Sequence, residues 1–393
     1  MKKIAYLVSH PIQYQAPMLK YIAKNINADF EVLFLSDMSV KGYTDSEFNQ
    51  RVLWDIPLLE GYNFKFLKTF GFKNKITFFS PVCLNIFSVM KNGNYDYIWL
   101  HGWGSINNIL AIFFAKKLKI KVLLRGESGI HMPQGSPLKA YFKKIVLNYL
   151  FKKVHYFLAI GSMNANFYKF YGVENSKILV MPYAVDNDFF QEKSKFYKGQ
   201  TEYIKRNLNI ECNAKIILYA SKLTRRKNSL DLLMAYSKLI KNISQIQPYL
   251  LIVGSGELEK ELKHHVKKLA LSRVKFLGFV NQSELPKYYE LCDVFVLPSS
   301  AEQWGLVINE VMNHSKPVII SDEVGCGPDL VEDKVNGYIF KCGDIDHLEL
   351  CLRKTLYDNK NDIKSSSVNL SKINRWSFYE DTQALKIAIG DFL

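Results

Sequence analysis

The sequence predicts an α/β protein built on two separate parallel sheets, each covered on both faces by helices. Three observations carry that expectation. Short apolar strand-like runs alternate with helix-like stretches along the chain. The alternation is interrupted once, by a polar, lysine-rich stretch at 191–200, and then restarts. At 393 residues the chain also exceeds what one hydrophobic core usually serves, so two domains are expected.

In the first half, strands are expected at 4–8, 30–35, 97–100, 122–125 and 155–160, with helices at 16–25, 107–119 and 138–151. A further strand near 178–181 leads through Pro182-Tyr183-Ala184-Val185-Asp186 to the boundary. In the second half, strands are expected at 215–220, 249–253, 274–277, 294–297 and 317–321, and helices at 229–239, 258–269, 286–291 and 306–314. The expected domains are 1–190 and 191–375. A last helical segment, 376–393, carries aromatic and apolar residues at helical spacing. Ligands of such sheets bind at the carboxyl ends of the strands, and a cleft is expected between the two halves.

The composition, 48% hydrophobic and 14% aromatic, is that of a soluble globular enzyme. No apolar run reaches the roughly eighteen residues of a membrane-spanning helix. The apolar stretch in residues 1–9 is too short for a signal peptide and reads as a buried first strand. The cysteines at 83, 212, 292, 326, 342 and 351 are scattered, which fits reduced thiols in a cytoplasmic protein. Charge is uneven: residues 1–200 hold 26 Lys and Arg against 13 Asp and Glu, and residues 201–393 hold 26 against 24. The excess of the first half suits nucleic acid, anionic lipid or a phosphorylated substrate.

The chemistry concentrates after the strand at 294–297. There Glu302 and Glu310 flank a helix expected to open near Gly305. Unpaired amides and the positive dipole end of a helix attract an anion. Carboxylates hold hydroxyls but repel phosphate. A site wanting both a diphosphate and several hydroxyls suits a nucleotide sugar. Lys222 and Lys227 follow the strand at 216–219, and Gly254-Ser255-Gly256 ends the strand at 249–253. Taken alone, a basic turn or one Gly-x-Gly is also what solvated loops and tight turns contain.

The ordered set is more specific. Lys222 and Lys227, Gly254-Ser255-Gly256, Phe276-Leu277-Gly278-Phe279-Val280, Pro298-Ser299-Ser300-Ala301-Glu302-Gln303-Trp304-Gly305, Glu310, Pro317-Val318-Ile319-Ile320-Ser321-Asp322 and Asn336-Gly337 resemble the C-terminal domain of family 4 retaining glycosyltransferases. That family has the GT-B architecture of two facing Rossmann-like domains. The resemblance covers most of the chain and is strongest over 178–345. It implies that Lys222, at a place usually held by arginine, and Lys227 neutralise the donor diphosphate. It further implies that Glu302 faces the donor sugar and Glu310 the ribose hydroxyls. Amides around Trp304, Gly305 and Leu306 would cap the phosphates, while Gly254 and Val280 would line the donor site. Asn313-His314-Ser315 and Gly325-Cys326-Gly327-Pro328 depart from the family pattern without touching the charged anchors.

The first half carries the acceptor expectations. His10 and Gln13 lie in Ser9-His10-Pro11-Ile12-Gln13-Tyr14-Gln15-Ala16-Pro17, similar to a subset of the family, where a Gly-Gly turn is common. They replace its phosphate contacts, hold the acceptor, or simply shape a loop. His101 ends another strand. Where many relatives place a histidine this chain has Arg125-Gly126-Glu127-Ser128, and Arg125, Glu127, Ser128 and the nearby His131 are the alternatives. Asp186-Asn187-Asp188 matches a metal-binding pattern but reads as an Asx turn, and no metal or cofactor is expected. At 138–153, Leu138, Tyr141, Phe142, Ile145 and Tyr149 form a stripe beside five lysines, which fits either an anionic bilayer surface or a core-facing helix.

The resemblance thus implies a metal-independent retaining glycosyltransferase. It would move sugar from a UDP- or GDP-sugar to a saccharide acceptor, lipid-linked, in surface polysaccharide or glycan synthesis. The enzyme is expected in the cytoplasm, peripheral at the inner membrane face. The rivals are a nucleotide-sugar epimerase of the same shape, a nicotinamide-dependent oxidoreductase, for which no Gly-x-Gly-x-x-Gly follows the first strand, and a basic nucleic-acid binder, for which no recognition module is visible.

Overall fold

The computed structural model describes all residues except 46, 49, 73, 74, 130–135, 245, 359–364, 392 and 393. The chain forms two compact units. The first comprises Met1–Tyr43, Ile56–Val185 and Ser377–Leu393; the second comprises Thr44–Asp55 and Asp186–Trp376. The boundary expected at 190/191 falls inside the helix Asn187–Lys198, which Asp186 opens by accepting from the Phe189 amide at 3.0 Å. Asp186 therefore serves as a helix cap.

The strands are β1 (Lys2–Val8), β2 (Ala28–Phe34), β3 (Tyr43–Asp45), β4 (Gln50–Val52), β5 (Asn63–Phe66), β6 (Tyr97–His101), β7 (Lys121–Arg125), β8 (Tyr156–Ala159) and β9 (Ile178–Val180). They continue with β10 (Ile216–Ala220), β11 (Tyr249–Val253), β12 (Val274–Gly278), β13 (Val294–Leu297), β14 (Val318–Ser321) and β15 (Gly337–Phe340). The first unit has the sheet order β5-β2-β1-β6-β7-β8-β9, while β3 pairs with β4 in a two-stranded sheet within the segment assigned to the second unit. The second has β12-β11-β10-β13-β14-β15. The second order is that of a doubly wound nucleotide-binding sheet, and the first follows it with one strand more. Each sheet reverses its winding direction at one place, between β1 and β6 and between β10 and β13.

Burial explains why these runs become central parallel strands. Ile4, Ala5, Tyr6 and Leu7 are fully buried on both faces, and so are all four residues of β13. Successive residues serve opposite cores: Ala5 and Leu7 join Ile98 and Leu100 on one face, while Ile4 and Tyr6 join Tyr97 and Trp99 on the other. The second unit packs Ile217, Tyr219, Leu250, Ile252 and Val294 against helix Ser229–Asn242 through Leu232, Leu233 and Tyr236.

The last helix, Phe378–Ile389, completes the first unit. Ser377 caps it, and Gly390 ends it in the left-handed conformation that glycine adopts freely. Ala384, Leu385, Ala388 and Ile389 fill the core beside β1 and β2. Asp381 lies buried 3.6 Å from the Arg125 guanidinium. No described helix is long and apolar enough to cross a membrane.

Candidate active site

In the second unit, the expected donor residues follow the strands that flank the winding reversal. The turn after β10 laces onto the turn after β11: the Ser221 amide donates to Val253 at 3.1 Å and the Leu223 amide to Ser255 at 3.0 Å. At Gly254, φ is +122° and an added Cβ would stand 2.0 Å from the Ser221 carbonyl oxygen, so only glycine fits. A short turn, Arg225–Lys227, then leads into helix Ser229–Asn242. The loop after β13 ties to that turn through Ser300, whose amide donates to the Arg226 carbonyl at 2.8 Å.

These ties bring Lys227 and Glu302 together as an ion pair, the ammonium donating to Glu302 Oε2. The Glu302 backbone is held too: its amide donates to Glu323 at 3.3 Å and its carbonyl accepts from Gly325 at 3.0 Å. Around the pair, Thr224 Oγ1 and Ser299 Oγ are buried without a hydrogen-bond partner, two polar groups that a bound ligand would satisfy.

Lys222 lies on the same turn, and its ammonium is engaged by two carboxylates from residues 44–55: Asp45 at 3.0 Å and Glu47 at 2.8 Å. Burial raises both carboxyls, but the Phe48 amide and the Lys222 ammonium overcome this at Asp45. At Glu47, Lys222 and Arg226 do the same, so both lie below the usual carboxylate range. Nothing in the sequence motifs pointed to these acids. The available signal was local charge: Asp45, Glu47 and Asp55 in a half with a large basic excess.

Gly305 precedes helix Leu306–Met312 with φ +97°. The Trp304 indole is buried, donating to Asn309 at 2.9 Å and stacked on Trp376, so this residue offers a site its backbone only. Val280 is half-buried in the loop after β12. Glu310, on the helix, accepts from the Tyr289 hydroxyl at 2.6 Å, and burial pushes its carboxyl up to about 7 against that bond.

In the first unit, the turns after β1 and β6 gather His10, Gln15 and His101. Ser9 Oγ is 2.9 Å from His10 Nδ1, and burial, with His101 nearby, lowers His10 to about 4. The His101 ring lies 3.4 Å from Gln15 Nε2 and 3.4 Å from Glu127 Oε1, and Tyr183 donates to Glu127 at 2.5 Å. Burial raises the Glu127 carboxyl; His101, Tyr183 and Arg125 more than offset it and hold it low. Beside His101 a cavity of about 160 Å³ is bordered by Ser9, Thr77, Ser80 and Asn108. Gln13 is half-buried in the turn before helix Ala16–Asn25.

Arg125, one of the alternatives named for the missing histidine, lies inside the first unit. Only 2% exposed, it contacts Met18 sulfur, the Pro182 carbonyl at 2.9 Å and Asp381, and it belongs to the core. Of the alternatives for the missing histidine, Glu127 is the one joined to His101. The Ser128 carbonyl accepts from Asn164 at 2.7 Å. His131 lies outside the described residues. Among the described residues, no group of three or more His, Cys, Asp or Glu side chains could hold a metal ion.

The chain has the GT-B fold: its structure matches HepE of Anabaena, crystallised with UDP and glucose, over 100% of both chains with TM-score 0.73 at 18% identity. It matches the lipopolysaccharide outer core galactosyltransferase WaaB over 100% of both chains with TM-score 0.67 at 14% identity. Residues 200–370 match the glycosyl transferases group 1 family. An uncharacterised glycosyltransferase of Methanocaldococcus jannaschii is 34% identical over 34% of this chain and 33% of its own length. The UDP-Gal:alpha-D-GlcNAc-diphosphoundecaprenol alpha-1,3-galactosyltransferase of Escherichia coli is 26% identical over 54% of each chain. The N,N'-diacetylbacillosaminyl-diphospho-undecaprenol alpha-1,3-N-acetylgalactosaminyltransferase of Campylobacter jejuni is 26% identical over 66% of this chain and 70% of its own. The chain thus spans between a third and 70% of these curated relatives. The whole chain therefore shares the GT-B fold, and residues 200–370 resemble the glycosyl transferases group 1 family.

Proposed function

We propose that the protein is a family 4 retaining glycosyltransferase that moves a sugar from a nucleoside-diphosphate sugar to a hydroxyl of a lipid-linked saccharide. The observation that carries this is the Lys227–Glu302 pair beside Lys222, at the strand ends flanking the winding reversal of the second unit. Donor binding inserts a diphosphate near both lysines and frees Glu302 to face the sugar hydroxyls. The bond from the anomeric carbon to the diphosphate breaks, the acceptor oxygen bonds to that carbon on the same face, and the acceptor proton passes to the departing diphosphate. The protein's share is charge neutralisation and positioning, with no metal required. Glu310 holds the ribose. His10, Gln13, His101 and Glu127 form the acceptor side.

The relatives' lipid-diphosphate acceptors and the UDP bound by HepE favour this reading. The helix Pro137–Phe151 adds a membrane contact: Leu138, Tyr141, Phe142, Ile145 and Tyr149 are all exposed, beside Lys139, Lys143 and Lys144. A core-facing helix would bury that stripe. An enzyme seated this way works at the cytoplasmic membrane face.

A thermal-shift panel of UDP-, GDP- and other nucleotide sugars tests the donor, followed by product NMR with a diphospholipid-linked saccharide. One donor family should stabilise the chain, and transfer should keep the anomeric configuration. Stabilisation by none, or turnover of donor to an epimer without acceptor, would defeat the proposal.

A further inference from the structure

Described residues of the segment 44–55 lie against Lys222 and Arg226 of the second unit. Beyond the pairs of Asp45 and Glu47 with Lys222, Glu47 reaches Arg226 at 3.2 Å. The Phe48 carbonyl accepts from Ser255 Oγ at 3.0 Å. The Phe48 ring lies 4.7 Å from the Lys222 ammonium and meets Phe279 edge-on at 5.0 Å. Further along, the Leu53 carbonyl accepts from Asn281 at 2.7 Å. At Gly256 a Cβ would come within 2.9 Å of the Glu47 carbonyl oxygen, so the segment lies directly on the Gly254-Ser255-Gly256 turn.

Carboxylates and phosphates make the same demand on an ammonium or guanidinium: both are anionic oxygen clusters accepting charged hydrogen bonds. A diphosphate brought to Lys222 would therefore meet two negative groups already there, and like charges at that separation repel. Strap and diphosphate exclude one another.

We propose that residues 44–55 are a built-in competitor of the donor, a strap whose carboxylates occupy the diphosphate-binding cations until a nucleoside diphosphate displaces them. This rests on the donor reading of Lys222 given above. The strap keeps Lys222 and Arg226 neutralised in the empty enzyme and sets the donor affinity below that of the bare site. Its displacement uncovers Phe48, Val52 and Trp54 together and frees the chain around Arg51 for cleavage.

Calorimetric titration of the full chain with UDP and with inorganic pyrophosphate tests the strap. Asp45→Asn/Glu47→Gln should bind both about tenfold more tightly, with Glu47→Gln alone intermediate, and near-UV circular dichroism should establish that both variants are folded. UDP should accelerate trypsin cleavage after Arg51 in the unmodified chain. Unchanged or weaker binding by folded variants, or protection of Arg51 by UDP, overturns the inference while a loss of binding in Lys222→Ala keeps the donor reading. Unchanged binding in Lys222→Ala removes the donor reading and the strap's role together.

Discussion

The Tyr289 hydroxyl donates to the Glu310 carboxylate at 2.6 Å, yet burial still pushes that carboxyl up to about 7. A ribose hydroxyl needs an accepting carboxylate, so donor binding favours the ionised form and releases a proton when the free group is protonated. Donor affinity should rise from pH 5.5 to 8, with its midpoint near 7, and flatten in Glu310→Gln. Tyr289→Phe removes a bond that lowers the carboxyl and should move the midpoint upward. Titrations with UDP at several pH values decide this. A flat profile in the unmodified chain would remove Glu310 from ribose binding.

The buried Asp381 beside Arg125 is raised in the same way, but its effect is on stability and runs the other way with pH. Burial pushes Asp381 up to about 7, Arg125 opposing it, while the unfolded carboxyl titrates near its ordinary value of about 4. The folded state holds the proton more tightly, so this group's contribution is full below about pH 4 and is lost as pH rises toward 7. Thermal melts should show Asp381→Asn losing that pH-dependent component. Arg125→Met leaves the buried acid without its cation and should cost about 3–5 kcal/mol near pH 8, and less near pH 5.

Lys227→Ala should lower kcat by about 10²–10³-fold, the scale seen when one group stabilising transition-state charge is removed. Glu302→Gln should reduce kcat while leaving UDP affinity within about threefold, because Glu302 is assigned to the sugar and not to the nucleotide. Steady-state kinetics with UDP binding in parallel separates the two roles.

The membrane stripe is testable apart from chemistry. Replacing Tyr141, Phe142 and Ile145 with serine should lower partition onto vesicles containing phosphatidylglycerol by at least tenfold and leave the melting temperature nearly unchanged, since all three are exposed. High salt should weaken binding of the unmodified chain, through the lysines. Equal partition of the variant would overturn the proposed membrane contact of this helix.

What could be read in advance followed burial. Strands such as β10 and β13 are apolar throughout because both faces are covered, and such runs stand out without any partner in view. The short β15 and the largely exposed β5 carry no comparable signal. The same division runs through the site. Lys227 and Glu302 were marked by position at strand ends, and the fold places them in contact. Arg125, also at a strand end, looked equivalent, but a buried acid far along the chain claims it. Asp45 and Glu47 lie in a segment with no periodicity, and only the fold shows which cations they hold.

The helix Phe378–Ile389 has a consequence for biosynthesis. Its side chains occupy the interior beside β1 and β2, strands made long before it, so that interior stays unfilled until residue 389 has been added. The second unit, made later but finished by Trp376, can close before the first. Released chains truncated after residue 376 should therefore carry a protease-resistant second unit and a still-digestible first one.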